Sequence, residues 1–141
     1  MTANQTSPSK GYQYHPGYEV ALVPVQGKVR VMFGGEAIVD TANAFVLLET
    51  RHAPVYYFAK SDVAAEVLSP TEHSSHCPFK GDAIYWSLKV GDQVAENAMW
   101  GYPNPVPEVP ELGKLVAFYQ DQVDSWWLDD VEIDAPVVPA D

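Results

Sequence analysis

The sequence predicts a single, mainly β domain (β-rich α+β at most), built as two small sheets meeting like a tent or as a barrel-like closure. Three observations carry this. Strand-like strings recur at short intervals, Gly and Pro punctuate them, and the aromatics, 12% of the chain, are clustered. Aromatic and β-branched residues pack well on a pleated surface, so their clustering favours strands. The clusters are Tyr56-Tyr57-Phe58, Tyr85-Trp86, Trp100 with Tyr102, Phe118-Tyr119 and Trp126-Trp127.

The elements follow in order. Residues 1–16, rich in Thr, Ser, Gly, Gln and Tyr, read as a disordered or loosely docked arm. Tyr18 to Val25 is apolar and β-branched, and Pro24 makes it an edge strand. Lys28 to Phe33 alternates, Gly34-Gly35 supplies a tight turn, and Glu36 to Asp40 returns, which predicts a hairpin over 28–40. Ala44 to Thr50 and Val55 to Phe58 are further strands around an Arg51-His52-Ala53-Pro54 turn. Ser61 to Glu66 has an N-cap and early acids, which predicts a helix of at most two turns before Pro70. Thr71 to Asp82 reads as a polar loop.

Ala83 to Val90 and Gln93 to Trp100 form a second hairpin about Gly91-Asp92. Pro103, Pro105, Pro107 and Pro110 give a stiff extended connector. Leu115 to Tyr119 is a last strand, and Val123 to Leu128 fits either a strand or a short helical turn. The sum is seven to nine strands in one β-rich domain over 17–131, followed by an acidic tail over 132–141. A chain of 141 residues can bury a core without staples.

Charge bounds the partners. Nineteen acidic residues against eight Lys and Arg give a net charge of -11. Phosphate backbones are held by surplus cations, so neither nucleic acid nor an anionic membrane is expected as a partner. The single cysteine, Cys77, forms no internal disulfide, and the polar start lacks the apolar core of a secretory signal. With no apolar run approaching the roughly 20 residues of a membrane span, the expected location is cytoplasmic. The edge strand at 18–25 is compatible with a homodimer.

Candidate chemistry concentrates between Glu49 and Tyr102. In Thr71 to Asp82 lie His73, His76, Cys77 and Lys80. A cation beside a thiol stabilises the thiolate, so Cys77 could act as nucleophile with His76 as base and Lys80 stabilising negative charge. Neighbours on a strand face opposite sides, so that pairing needs a bend before Pro78. The plainer reading of Cys77 is a small buried apolar residue. His73-x-x-His76-Cys77 has metal-ligand spacing but lacks a second ligand pair, so no metal is assigned. Glu49, at the end of an apolar strand, is either desolvated and functional or the first exposed residue. Tyr56, Tyr57, Tyr85, Trp86, Trp100 and Tyr102 either wall a pocket or fill the core, with some of them doing each.

The strings Leu48-Glu49-Thr50, Pro54 to Phe58, His76-Cys77-Pro78-Phe79-Lys80-Gly81, Tyr85-Trp86-Ser87 and Ala95 to Pro103 occur in that order. In them the chain resembles the bacterial and fungal domain-of-unknown-function family 427, over about residues 27–128. The resemblance implies a compact, mostly β protein and groups Glu49, Tyr57, His76, Cys77, Lys80, Trp100 and Tyr102 as a shared pocket. The family's provisional label, nucleotidyltransferase, implies carboxylates that hold magnesium. Gly34-Gly35 is followed by Glu36 and no Asp-x-Asp, and Glu132 and Asp134 lie beyond the resemblance.

The expected function is binding of a small molecule in an aromatic and polar pocket. There Trp100, Tyr57 and Tyr102 form walls, Glu49 and Lys80 fix orientation, and any cofactor is unidentified. The alternatives are an enzyme of acyl-transfer or redox type using Cys77, His76 and Lys80, nucleotidyl transfer as the label implies, and a protein-interaction module using prolines 103–110.

Overall fold

A computed structural model describes residues 8–139 of the chain. It contains eleven strands: β1 (Val20–Pro24), β2 (Val29–Phe33), β3 (Glu36–Thr41), β4 (Phe45–Glu49), β5 (Val55–Ala59), β6 (Leu68–Cys77), β7 (Gly81–Val90), β8 (Gln93–Gly101), β9 (Leu115–Phe118), β10 (Ser125–Leu128) and β11 (Val131–Ile133). One short helix, α1 (Lys10–Tyr14), precedes them. The strands form a seven-stranded sheet, ordered β1-β4-β5-β9-β8-β7-β6, and a four-stranded sheet, ordered β11-β10-β2-β3. All ladders are antiparallel, and the sheets stay open rather than closing into a barrel. No helix among the described residues is long and apolar enough to cross a membrane.

The two sheets face each other across an inner core. Val29, Val31, Phe33 and Trp126 project from the small sheet, and Val46, Phe58, Leu88, Met99 and Phe118 from the large one. The period of two sends alternate residues the other way. Leu47, Tyr57, Tyr85, Leu115 and Ala117 form a second cluster on the outer face of the large sheet, covered by Val109 and Leu112. The middle strands are therefore buried on both faces, so Val55–Ala59 and Leu115–Phe118 are apolar throughout instead of alternating.

Both predicted hairpins form. Gly34 and Gly35 take φ of 61° and 79°, the left-handed pair that a tight two-residue hairpin loop requires. Two other expectations are corrected. Thr71 to Asp82 is not a loop: up to Cys77 it belongs to β6, paired with β7. As the outermost strand of the large sheet it has almost no buried face, so its sequence shows no apolar alternation. Its bulge between Pro70 and Ser74 accommodates the proline.

Ser61 to Glu66 is not a helix of two turns but two separate 3-10 turns, Lys60–Asp62 and Ala65–Val67. Val63 and Val67 turn into the inner core, and the Ala64 N–H bonds to the Ile38 carbonyl at 2.9 Å, so the backbone is recruited by β3. Asp62 accepts from the Thr41 hydroxyl at 2.8 Å instead of supporting a helix start.

At the chain ends, residues 132 and 133 are part of β11, paired with β10, and the Val137 N–H donates to the Tyr56 hydroxyl at 2.9 Å. Of the N-terminal arm, residues 1–7 lie outside the described residues; the rest packs against Pro78 and Phe79 on the large sheet's outer side. Within the proline connector, Pro105 bridges to Gly81 and Pro110 opens a 3-10 turn over Pro110–Lys114.

Candidate functional site

On the outer face of the large sheet lies an open cleft of about 700 Å³. Its lining includes Glu49, Tyr57, His76, Cys77, Lys80, Trp100 and Tyr102, the seven residues singled out in the sequence. Strand alternation explains much of this convergence. On β4, Val46 faces the inner core while Leu47 and Glu49 face the cleft; on β5, Tyr56 and Phe58 face inward and Tyr57 outward. On β8, Met99 enters the inner core, while Trp100, and Tyr102 just beyond the strand, face the cleft.

Glu49 and Lys80 form an ion pair whose side chains are 6% and 10% exposed. The other Glu49 oxygen accepts from the Tyr18 hydroxyl and lies 3.9 Å from His52 Nε2. Lys80 sits at the end of a tight turn, with its N–H donating to the Cys77 carbonyl at 3.2 Å and Pro78 at the turn's second position. Its own carbonyl accepts from Val106 at 3.0 Å, so the proline connector grips Lys80 from behind. The Lys80 ammonium lies 5.9 Å from the Tyr102 ring centroid, within cation–π range.

Aromatic residues form the walls. Trp100 Nε1 donates to the Tyr57 hydroxyl at 3.3 Å, and the indole lies against Tyr119 with centroids 4.6 Å apart. Tyr18 stacks on Phe79 at 3.5 Å. Burial pushes the Tyr57 hydroxyl well above the usual tyrosine range, partly offset by the Trp100 N–H, with the Glu49 carboxylate adding to the rise. Burial does the same to Tyr102, helped by its neighbour Tyr57. Both hydroxyls stay protonated at neutral pH and can donate. Among the described residues no fully buried side-chain polar atom lacks a partner.

The proposed catalytic trio is arranged differently from a thiolate–imidazole pair. His76 Nδ1 contacts Asp82 Oδ1 at 2.7 Å, with both side chains largely exposed. Lys80 is engaged by Glu49, and Cys77 is a free, partly buried thiol packed against the outer cluster. The bend that would turn His76 toward Cys77 is absent, because both residues lie in regular β6. Among the described residues, no three His, Cys, Asp or Glu side chains are placed to hold a metal ion.

Sequence reading missed three contributions. The N-terminal arm packs behind the wall formed by Tyr18 and Phe79: Tyr12 lies edge-on to both rings and donates to the Phe79 carbonyl at 2.7 Å, and Ser9 bonds Glu108 through its N–H at 2.8 Å and its hydroxyl at 2.7 Å. The approach is so close that a Cβ on Gly11 would lie 2.6 Å from the Pro78 oxygen. Burial, then the Glu108 carboxylate, pushes the Tyr12 hydroxyl up to about 12. Tyr119, just past β9, extends the aromatic lining beside the expected Tyr85, whereas Tyr56 and Trp86, also candidates from the sequence, turn into the inner core. The Glu49–His52 turn, closed by the His52 N–H on the Glu49 carbonyl at 3.0 Å, brings Arg51 to the rim. Only the run of aromatics around Tyr12, Tyr14 and Tyr18 hinted at the arm.

This is a small, two-sheet antiparallel β domain with an open cleft of polar and aromatic side chains on its outer face. A family model described as Domain of unknown function (DUF427) matches residues 21–129, and the chain belongs to that family. A search of curated proteins finds no match to the chain.

Proposed function

We propose that the outer-face cleft binds a small molecule with a flat apolar body and polar substituents. The observation that carries this reading is the Glu49–Lys80 ion pair at the base of an aromatic-walled cleft. A buried ion pair contributes little net stability, since desolvation offsets most of the attraction. Its placement in a concave site of about 700 Å³, a size usual for ligand pockets, supports a role in orienting a ligand. Trp100, backed by the buried Tyr57, would take the flat body, while Tyr102 and the Glu49–Lys80 pair would meet polar groups.

The Cys77 enzyme reading draws support from the thiol's place in the same cleft, and less from His76, which is engaged by Asp82. Nucleotidyl transfer has weaker support still: Glu132 and Asp134 lie at the far end of the small sheet's order, and Glu36 at its opposite end. Proline segment 103–110 serves here as backing for Lys80, which offers a structural reason for it.

The test is a thermal-shift screen of a metabolite library against the wild type and Trp100→Ala. Compounds that raise the wild-type midpoint and leave the variant's unchanged are expected. A library without stabilising compounds, or hits equally effective on both proteins, would count against the cleft.

A further inference from the structure

The chain is acidic, with nineteen Asp and Glu against eight Lys and Arg, yet its cleft is not. Arg51 and Lys80 both line it, together with His52 and His76, and Glu49 is the one carboxylate among the lining residues. Glu49 is already engaged by Lys80. Arg51 is therefore a surplus positive charge at the rim.

Arg51 differs from the chain's other arginine. Arg30 pairs with Asp130 at 3.1 Å and lies over the Trp127 ring at 5.1 Å. Arg51 makes no ion pair and no side-chain hydrogen bond among the described residues, and it is exposed. Its backbone has a φ of 64°, a left-handed conformation that Gly or Asn adopts more readily at this turn position. Nothing in the turn rewards an arginine there. Neighbouring contacts hold the turn: the Glu19 N–H donates to the Thr50 hydroxyl at 2.8 Å, and the Thr50 N–H donates to the Glu19 carbonyl at 3.0 Å. The guanidinium thus rides on a fixed turn beside the cleft, free to pair with something that enters it.

We infer that the ligand is an anion: a flat apolar molecule carrying a carboxylate, with Arg51 as the anchor that meets the charge. This rests on the cleft being the binding site, as proposed above. A guanidinium presents paired N–H donors that match a carboxylate bidentately. A locally positive cleft in an acidic protein also gathers anions that the remaining surface repels. The neutral tyrosine hydroxyls at the base can donate to further acceptor oxygens.

The probes are naphthoate and its neutral analogue naphthylmethanol, titrated by calorimetry against the wild type, Arg51→Gln, Arg51→Gly and Trp100→Ala. The wild type is expected to bind naphthoate about tenfold more tightly, the ratio that one exposed charge-assisted contact supports. That preference should fall to within about twofold in both Arg51 variants, with naphthylmethanol affinity unchanged, and should shrink with added salt. Arg51→Gly relieves the left-handed backbone, so lost preference in that variant cannot be blamed on misfolding. Trp100→Ala should weaken both probes.

If both probes bind in a Trp100-dependent way but without preference, or with a preference indifferent to Arg51, the anion inference is wrong and the cleft reading stands. If neither probe binds, or Trp100→Ala changes nothing, the cleft reading falls and the inference with it.

Discussion

The two faces of the large sheet use the same strands for different ends. On β5, Tyr56 and Tyr57 are neighbours, each 1% exposed. Tyr56 faces the inner core among Phe58 and Trp126, and its hydroxyl ends on the backbone of Val137, pinning the chain's end. Tyr57 faces the cleft, and its hydroxyl accepts from Trp100 beside the Glu49–Lys80 pair. Burial alone therefore does not separate a structural tyrosine from a candidate site tyrosine. What separates them is where the polar tip goes.

The largest effects should come from breaking either face at its centre. Phe58→Ala removes a fully buried ring from the inner core and should destabilise by about 3–5 kcal/mol, read from the denaturant midpoint. Glu49→Ala should have a similar effect, about 3–5 kcal/mol, because it strands a buried ammonium. The two differ in rescue. Adding Lys80→Met to Glu49→Ala should restore most of the stability, since removing both charges is nearly neutral. If the double variant is no more stable than Glu49→Ala, the loss in the single variant does not come from a stranded ammonium.

The tyrosine pair sharpens the contrast at a smaller scale. Tyr56→Phe and Tyr57→Phe should each lower stability by about 1 kcal/mol, the usual worth of one hydrogen bond. Only Tyr57→Phe should also change naphthoate binding. Equal effects on binding would erase the functional difference between the faces.

Alkaline pH probes the buried tyrosines as a group, most of them on the outer face, with Tyr56 of the inner face also raised by burial. Tyr18, Tyr57 and Tyr102 all have hydroxyls raised above the normal range, first by burial, and Tyr12 is raised to about 12. In the unfolded chain a tyrosine releases its proton near about pH 10. Above that pH the unfolded state holds fewer protons than the folded one, so stability present at lower pH is lost as pH rises. Denaturation midpoints should be insensitive to these groups up to about pH 10 and then fall, with tyrosinate absorbance rising mainly on unfolding. Midpoints that hold steady above that point would contradict the raised values.

The smallest effect belongs to the small sheet's surface. Lys28 and Asp40 pair at 3.3 Å with side chains 60% and 44% exposed. Asp40→Asn should shift stability by no more than about 1 kcal/mol and leave binding untouched. A larger loss would mean that exposed and buried ion pairs are not as different here as their solvation implies.

The sequence revealed the fold where local chemistry and tertiary packing agree. Gly34-Gly35 and Gly91-Asp92 mark hairpins because the turns need those residues, whatever surrounds them. β6 stayed hidden because an edge strand without a buried face carries no alternation, and its Ser and His string looks like a loop. The 61–66 segment misled for the opposite reason: its capping pattern is real, but core contacts of Val63 and Val67 outweigh it.

The site was legible in the same uneven way. Glu49, Tyr57, Lys80, Trp100 and Tyr102 were grouped through the family resemblance, and strand alternation explains how three strands (β4, β5 and β8) and a turn deliver them to one cleft. Tyr18 and Arg51 could not be read. Tyr18 matters because the arm folds onto Phe79, a contact between residues 61 positions apart in sequence with no local signal. Arg51 matters through a left-handed turn that its residue type does not announce.

The most direct measurement uses the single thiol on the cleft wall. Cys77 is partly exposed, so iodoacetamide should alkylate it in the native protein. Saturating naphthoate should slow that reaction, and alkylated protein should no longer bind the probe. A thiol that reacts only after unfolding, or at a rate indifferent to saturating naphthoate, would contradict the outer-face cleft as the ligand site.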